Sequence, residues 1–222
     1  MKPRRRRFLK QTAALLPLGG LSALISEALA RGTDPQQQGV RKLSGDVRVN
    51  GKSASVGTLI KPGDTVTTAK GSEVIYVIGQ DAYLQRESTS VTFAKDVLRL
   101  ISGKLLSVFG RGDKQINVPT ATIGIRGTGC YIETEGEGKQ AKTYFCLCYG
   151  TAEVTPSASP GQKETITTRH HDKPHWIHND PAMPRSMVTA GVINHTDAEL
   201  EMLEALVGRL PPFMDSYNGY RY

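Results

Sequence analysis

From Leu43 onward the chain alternates apolar and polar residues in short runs, each closed by glycine or a turn sequence. Val47 and Val49 precede Asn50-Gly51, the pair that two-residue hairpins favour because both positions need a positive φ. Leu59 and Ile60 lead into Pro62-Gly63-Asp64, a second turn, and Val66 follows between threonines. Val74, Tyr76 and Ile78 keep a period of two, as do Val91 and Phe93, with Leu84 out of step after Tyr83. Val97 to Ile101 runs through Ser102-Gly103-Lys104 into Leu105 to Phe109, and Gly110 stops it. Cys130 to Thr134 and Thr143 to Cys148 flank Glu135-Gly136-Glu137-Gly138, so these two runs are expected to pair as a hairpin. Many short strands at near-regular spacing, with no convincing helix before the C-terminus, predict an all-β domain over residues 43–168.

The texture changes after Glu164. Thr165 to Arg169 reads as a last strand, and then four of the five histidines fall within nine residues, at His170, His171, His175 and His178. Pro174, Pro181 and Pro184 exclude a regular helix, so residues 169–195 are expected to form an extended or looped arm. The one strong helix pattern covers residues 196–208. Thr196 and Glu199 match a capping box, Asp197 suits the positive end of the helix dipole, and Leu200, Leu203, Leu206 and Val207 line one face. Gly208 and Pro211-Pro212 end it. That face is expected to dock on the β domain, a partner-binding helix being the alternative, and residues 209–222 read as a loose tail.

Composition changes the picture mainly at the N-terminus. Residues 1–30 read as an export signal: Arg5-Arg6-Arg7-Phe8-Leu9-Lys10 resembles the twin-arginine motif, Thr12 to Ile25 is an apolar core too short for a membrane span, and Ala28-Leu29-Ala30 fits a cleavage site. That segment holds six of the 28 Lys and Arg and one of the 21 Asp and Glu, so it carries five of the seven net positive charges. The remaining chain is close to neutral, which argues against a nucleic-acid partner. Residues 31–42 are a polar leader, with no transmembrane span expected after it. Arg111-Gly112-Asp113 lies in a glycine-rich stretch and reads as a turn rather than an adhesion motif.

Several of these stretches together resemble the FecR domain of bacterial periplasmic proteins. The matching residues are Gly45-Asp46-Val47, Pro62-Gly63-Asp64 with Val66 and Thr67, Ser102-Gly103-Lys104, and the run from Val118-Pro119-Thr120 through Ile123-Gly124-Ile125-Arg126-Gly127-Thr128. The resemblance spans roughly residues 40–155 and implies a β-solenoid-like or coiled antiparallel β-sheet with a C-terminal helix appended. It also implies a periplasmic sensing module that works through protein contacts. Here the domain follows an export signal almost directly, which argues against a transmembrane sigma-factor regulator and for a free module that binds an envelope protein, peptide, glycan or metal. Arg126, Gly127, Thr128 and Gly129 are expected to be structural, the glycines allowing a bulge and Arg126 satisfying carbonyls or a carboxylate.

The chemistry centres on the three cysteines. With the hairpin turn placed at Gly138, Cys130 lies opposite Cys146, and strand alternation puts Cys148 on the same face. Three sulfurs converging with imidazoles from His170, His171 or His175 would suit zinc or copper(I). If the pair His170-His171 is extended, its rings point to opposite sides, so only one of them is expected to ligate. The alternatives are a Cys130-Cys146 or Cys130-Cys148 disulfide with one spare thiol, three buried core thiols, or a cysteine nucleophile with a histidine base. No phosphate-binding glycine loop or H-E-x-x-H is present, and nothing in the sequence fixes a substrate pocket, so a non-enzymatic module is expected.

Overall fold

The computed structural model describes residues 37–214; the export signal and the tail from Asp215 lie outside the described residues. Among the described residues the fold is all-β with one C-terminal α-helix, and their fourteen strands belong to one sheet. Every pairing is antiparallel except one, the short parallel contact of Val97, Leu98 and Arg99 with Gln115, Ile116 and Asn117. The sheet is coiled rather than flat, and three long strands coil it. They are β8 (Val97–Val108), β10 (Ala121–Glu135) and β11 (Lys142–Pro156).

Each long strand has two halves with different neighbours. The first half of β8 pairs with β7 (Thr89–Phe93), and its second half pairs with β6 (Asp81–Gln85) and β10. The first half of β10 pairs with β9 (Asp113–Val118), and its second half pairs with β8. Strand β11 pairs along its length with β10, and takes β13 (His175–His178) on its first half and β12 (Glu164–Thr168) on its second.

The break between halves is a glycine in the left-handed region in every case: Gly103 (φ 92), Gly127 (φ 57) and Gly150 (φ 98). A positive φ there interrupts the pleat, and the inward-facing parity changes across it. In β8 the inner residues go from Leu98 and Leu100 to Leu105; in β10 from Ile123 and Ile125 to Cys130 and Ile132; in β11 from Phe145 and Leu147 to Ala152 and Val154. The sheet thereby wraps around one inner core in which Tyr76, Tyr83, Phe93 and Phe109 pack edge-on or stacked at 5.1–5.8 Å. The S-G-K and R-G-T-G runs sit at two of these kinks. Arg126 pairs across β10 and β9 with Asp113 at 2.6 Å, an exposed contact at the edge of the bulge.

The outer face of the same sheet is also buried. Ile75 and Val77 of β5 (Glu73–Ile78), Ala82 and Leu84 of β6, Leu106 and Val108 of β8, and Tyr131 of β10 form a second apolar cluster, covered by the C-terminal segment. Helix α1 (Asp197–Leu206) lies over β6 and β8 with Leu200, Met202 and Leu203 fully buried beneath it. Its capping box is formed as the sequence predicts, with Thr196 and Glu199 bonding reciprocally. Arg86 anchors the start of the helix, reaching Glu199 Oε1 at 2.7 Å and the Asn194 carbonyl at 3.0 Å.

The arm departs from expectation. Residues 169–195 are not merely looped: His175–His178 adds to the edge of β11, and β14 (Met187–Thr189) adds to that. The prolines permit this because Pro174, Pro181 and Pro184 all lie outside the two strands and remove no ladder donor.

Candidate metal centre

The outer face of β11 carries Tyr144, Cys146 and Cys148, three alternate residues of one strand. Two pieces of the C-terminal segment close over the cysteines. The first is the turn after β12, where Asp172 accepts the Arg169 amide at 2.9 Å and His171 takes a left-handed φ of 53°. The His171 amide donates to the Cys148 carbonyl at 3.0 Å, which holds this turn against the strand. The second is the loop before α1, where the ring of His195 stacks on Tyr131 at 4.6 Å.

Cys146, Cys148, His171 and His195 each turn one donor atom inward, and the four atoms lie within 4.8 Å of one another. His171 Nδ1 is 3.4 Å from Cys146 Sγ and 3.1 Å from His195 Nε2. Both rings are held from behind. His171 Nε2 lies 3.0 Å from Asp197 Oδ1, and His195 Nδ1 lies 2.6 Å from the Ile193 carbonyl. Those oxygens accept only, so each outward nitrogen carries the hydrogen and each inward nitrogen of a neutral ring is left with a lone pair. A carboxylate or carbonyl behind each ligating imidazole is the arrangement that orients metal-binding histidines.

Donation from the Cys148 thiol, aided against burial by His171 and His195, lowers the Cys146 pKa to about 3. Burial and the neighbouring Cys146 sulfur push Cys148 in the opposite direction. For His171, burial lowers the pKa but the Cys146 sulfur and Asp197 outweigh it, and the net shift is upward. Asp197 moves down, because His170 and His171 overcome its own desolvation. In the metal-free cluster the anionic sulfur is therefore Cys146, with the Cys148 proton retained, and a bound ion would displace that proton.

Three of the sequence candidates, Cys146, Cys148 and His171, are brought together. Cys130 is not. It pairs with Leu147, while Tyr131 stands opposite Cys146, so the hairpin is one residue out of the expected register. The connecting loop runs over six residues, 136–141, with a short 3-10 turn, and this sets the register. A one-residue slip moves a side chain to the other face, and Cys130 lies in the inner core. That also excludes the Cys130-Cys146 and Cys130-Cys148 disulfides, since the side chains point to opposite sides of the sheet; all three thiols are free. Burial in the inner core raises the Cys130 pKa.

His175 is the second correction. It lies on the same side of β13 as the inner-core residue Ile177, with Nδ1 bonded to the Lys173 carbonyl at 2.9 Å, away from the sulfurs. His170 takes an outer position: its Nε2 meets both Asp197 oxygens at 2.9 Å and its ring packs on Phe213. Only His171 of the pair reaches the sulfurs, although the two rings do not point to opposite sides as an extended backbone would have them: both meet Asp197, because His171 is left-handed. His195 is the member of the cluster that the sequence reading passed over. Its signal was position: it immediately precedes the Thr196 cap, so the helix start fixes where its ring lies.

The cluster is enclosed. Cys146 and Cys148 are fully buried and His195 is 8% exposed. Two larger recesses, of about 480 and 520 Å³, lie elsewhere, one between Ile101 and Glu135 and the other beside Arg126 and Thr151. Among the described residues, no helix is long and apolar enough to cross a membrane.

No family model matches the sequence, and no curated protein matches it. Among solved structures, two crystal structures of "a putative anti-sigma factor from Parabacteroides distasonis ATCC 8503", at 1.65 and 2.50 Å resolution, align with a TM-score of 0.45 at 10% identity. The alignment covers 57% of this chain and 59% of each of those chains, so the chain spans less than two thirds of their length.

Proposed function

We propose that the chain is a non-enzymatic, FecR-like sensing and binding module of the periplasm whose functional focus is a transition-metal centre formed by Cys146, Cys148, His171 and His195. The observation that carries this reading is the convergence of four donor atoms within 4.8 Å, with both imidazoles oriented from behind by oxygen acceptors. The FecR-like part is supported by the glycine runs, since Gly103 and Gly127 of the matching motifs stand at coil-forming kinks. Export is supported by the Arg5-Arg6 motif, and the partner fitting such a module is an envelope protein, peptide or glycan. A thiol-based activity has one observation in its favour, the Cys146-His171-Asp197 line, but the cysteine is buried.

The test is elemental analysis of protein recovered from the periplasm. About one equivalent of a transition metal per chain, lost in Cys148→Ala and His195→Ala variants, is the expected result. Less than about 0.2 equivalents, together with three titratable thiols, overturns the metal reading. Replacing Arg5 and Arg6 by lysine is expected to retain the protein in the cytoplasm.

A further inference from the structure

Resting on the metal reading above, we infer that the centre takes a divalent, zinc-type ion in a closed Cys₂His₂ shell, and not copper(I), an iron–sulfur cluster or a catalytic metal. Three features of the site lead to this choice. The first is donor number and spacing. Zinc bonds of about 2.0–2.1 Å to nitrogen and 2.3 Å to sulfur give tetrahedral edges of roughly 3.3–3.8 Å. The site already holds His171 Nδ1 at 3.1 Å from His195 Nε2 and at 3.4 Å from Cys146 Sγ. Two of the six edges are thus already near tetrahedral length, and the remaining donor pairs lie within 4.8 Å. Copper(I), satisfied by two or three soft donors, would leave at least one oriented imidazole unused.

The second feature is charge. Once an ion has displaced the ligand protons, two thiolates and two neutral imidazoles carry a formal charge of −2 in a site walled by Tyr131 and Tyr144. A divalent ion cancels it; a monovalent ion leaves one negative charge buried, which is costly without a partner. Asp197 lies 3.0 Å behind His171 and adds to the negative side, while Arg86, a neighbouring cation, is already engaged by Glu199 at 2.7 Å.

The third feature is size. A two-iron cluster with cysteines on one iron and histidines on the other places sulfur and imidazole ligands on opposite sides of a cluster. A separation of 3.4 Å between Cys146 Sγ and His171 Nδ1 has no room for one. The shell also leaves no open position, because all four tetrahedral places are taken by protein and three of the four donor residues are buried, with His171 partly so, which is the mark of a structural rather than a catalytic zinc site.

The experiment uses the full exported chain, stripped of metal under reducing conditions, with Co²⁺ as a spectroscopic stand-in. The expected result is one Co²⁺ per chain with the intense visible bands of tetrahedral coordination and thiolate charge transfer, bleached by one equivalent of Zn²⁺. Co²⁺ bound with a weak octahedral spectrum overturns the inference. So does stoichiometric Cu(I) binding that Zn²⁺ cannot match; in both of those cases the metal reading stands. No binding of Co²⁺, Zn²⁺ or Cu(I) removes both. The wild-type spectrum is decisive by itself, so the test does not depend on a variant that folds.

Discussion

Asp64 shows how much one carboxylate can organise. Its Oδ2 accepts the Lys61 amide and its Oδ1 accepts the Asn50 side chain, each at 2.7 Å, while Asn50 Oδ1 accepts the Thr65 amide at 2.9 Å. The Pro62-Gly63-Asp64 turn and the Asn50-Gly51 hairpin are thereby latched together. The Lys61 amide first, and Asn50 second, lower the Asp64 pKa. A carboxylate depressed in the folded state contributes stability above its unfolded pKa and loses it as pH falls through the folded value. Denaturant titrations across acid pH are therefore expected to show a shallower acid limb for Asp64→Asn than for the wild type. Identical limbs would sink the latch. Among the cysteines, Cys130→Ala is expected to keep full metal content while Cys148→Ala and His195→Ala lose it, read by elemental analysis of equally folded samples. Metal loss in Cys130→Ala would contradict the assignment of that residue to the inner core. The shared face of Cys146 and Cys148 was legible in the sequence, because strand alternation alone requires it. The face of Cys130 was not, because it depends on how six loop residues close a turn. The choice of His171 over His170 was equally hidden, since it follows from a left-handed backbone in a residue other than glycine.

At the scale of elements, local signals were read well and edge additions poorly. The capping box of α1 was written in Thr196 and Glu199, and the apolar face in Leu200 and Leu203, because both depend on residues within two turns. Thr196→Ala is expected to cost about 1 kcal/mol of stability, as loss of a side-chain cap does, and the midpoint of urea unfolding checks it. An unchanged midpoint would mean that burial of Leu200 and Leu203 alone sets the helix. Strands β13 and β14 were missed because two short strands at an edge take their stability from β11 rather than from a hydrophobic period of their own. Two of the four candidate donors come from this added segment and two from β11, so a bound ion would join arm to sheet. Removing it with a chelator is expected to speed amide exchange across residues 169–196, with little change in β8 and β10. Hydrogen exchange with peptide resolution measures this, and equal protection with and without metal would show that the arm is held by its apolar contacts and Arg86 alone.

For the whole molecule, the decisive arrangement is a sheet buried on both faces by different means. The inner core is closed by the sheet's own coiling at Gly103, Gly127 and Gly150, a long-range consequence of three glycines, the first two of which lie in sequence runs readable in advance. The outer cluster depends on the C-terminal segment, which contributes Leu200, Met202, Leu203 and Phe213 and carries His171 and His195. A ligand that binds only the folded state stabilises it by mass action, about 2.7 kcal/mol at a free concentration one hundred times Kd. For a domain of this size each kcal/mol moves Tm by about 2–4 °C, so saturating Zn²⁺ is expected to raise Tm by roughly 5–10 °C over the metal-free protein. The shift should grow with the logarithm of free Zn²⁺ and vanish in Cys148→Ala, because the ion then has no closed shell to complete. Differential scanning calorimetry at buffered Zn²⁺ concentrations separates the cases. A Tm indifferent to Zn²⁺ in the wild type would place the stability of the outer face in its apolar cluster, and an equal shift in Cys148→Ala would place the ion somewhere other than this centre.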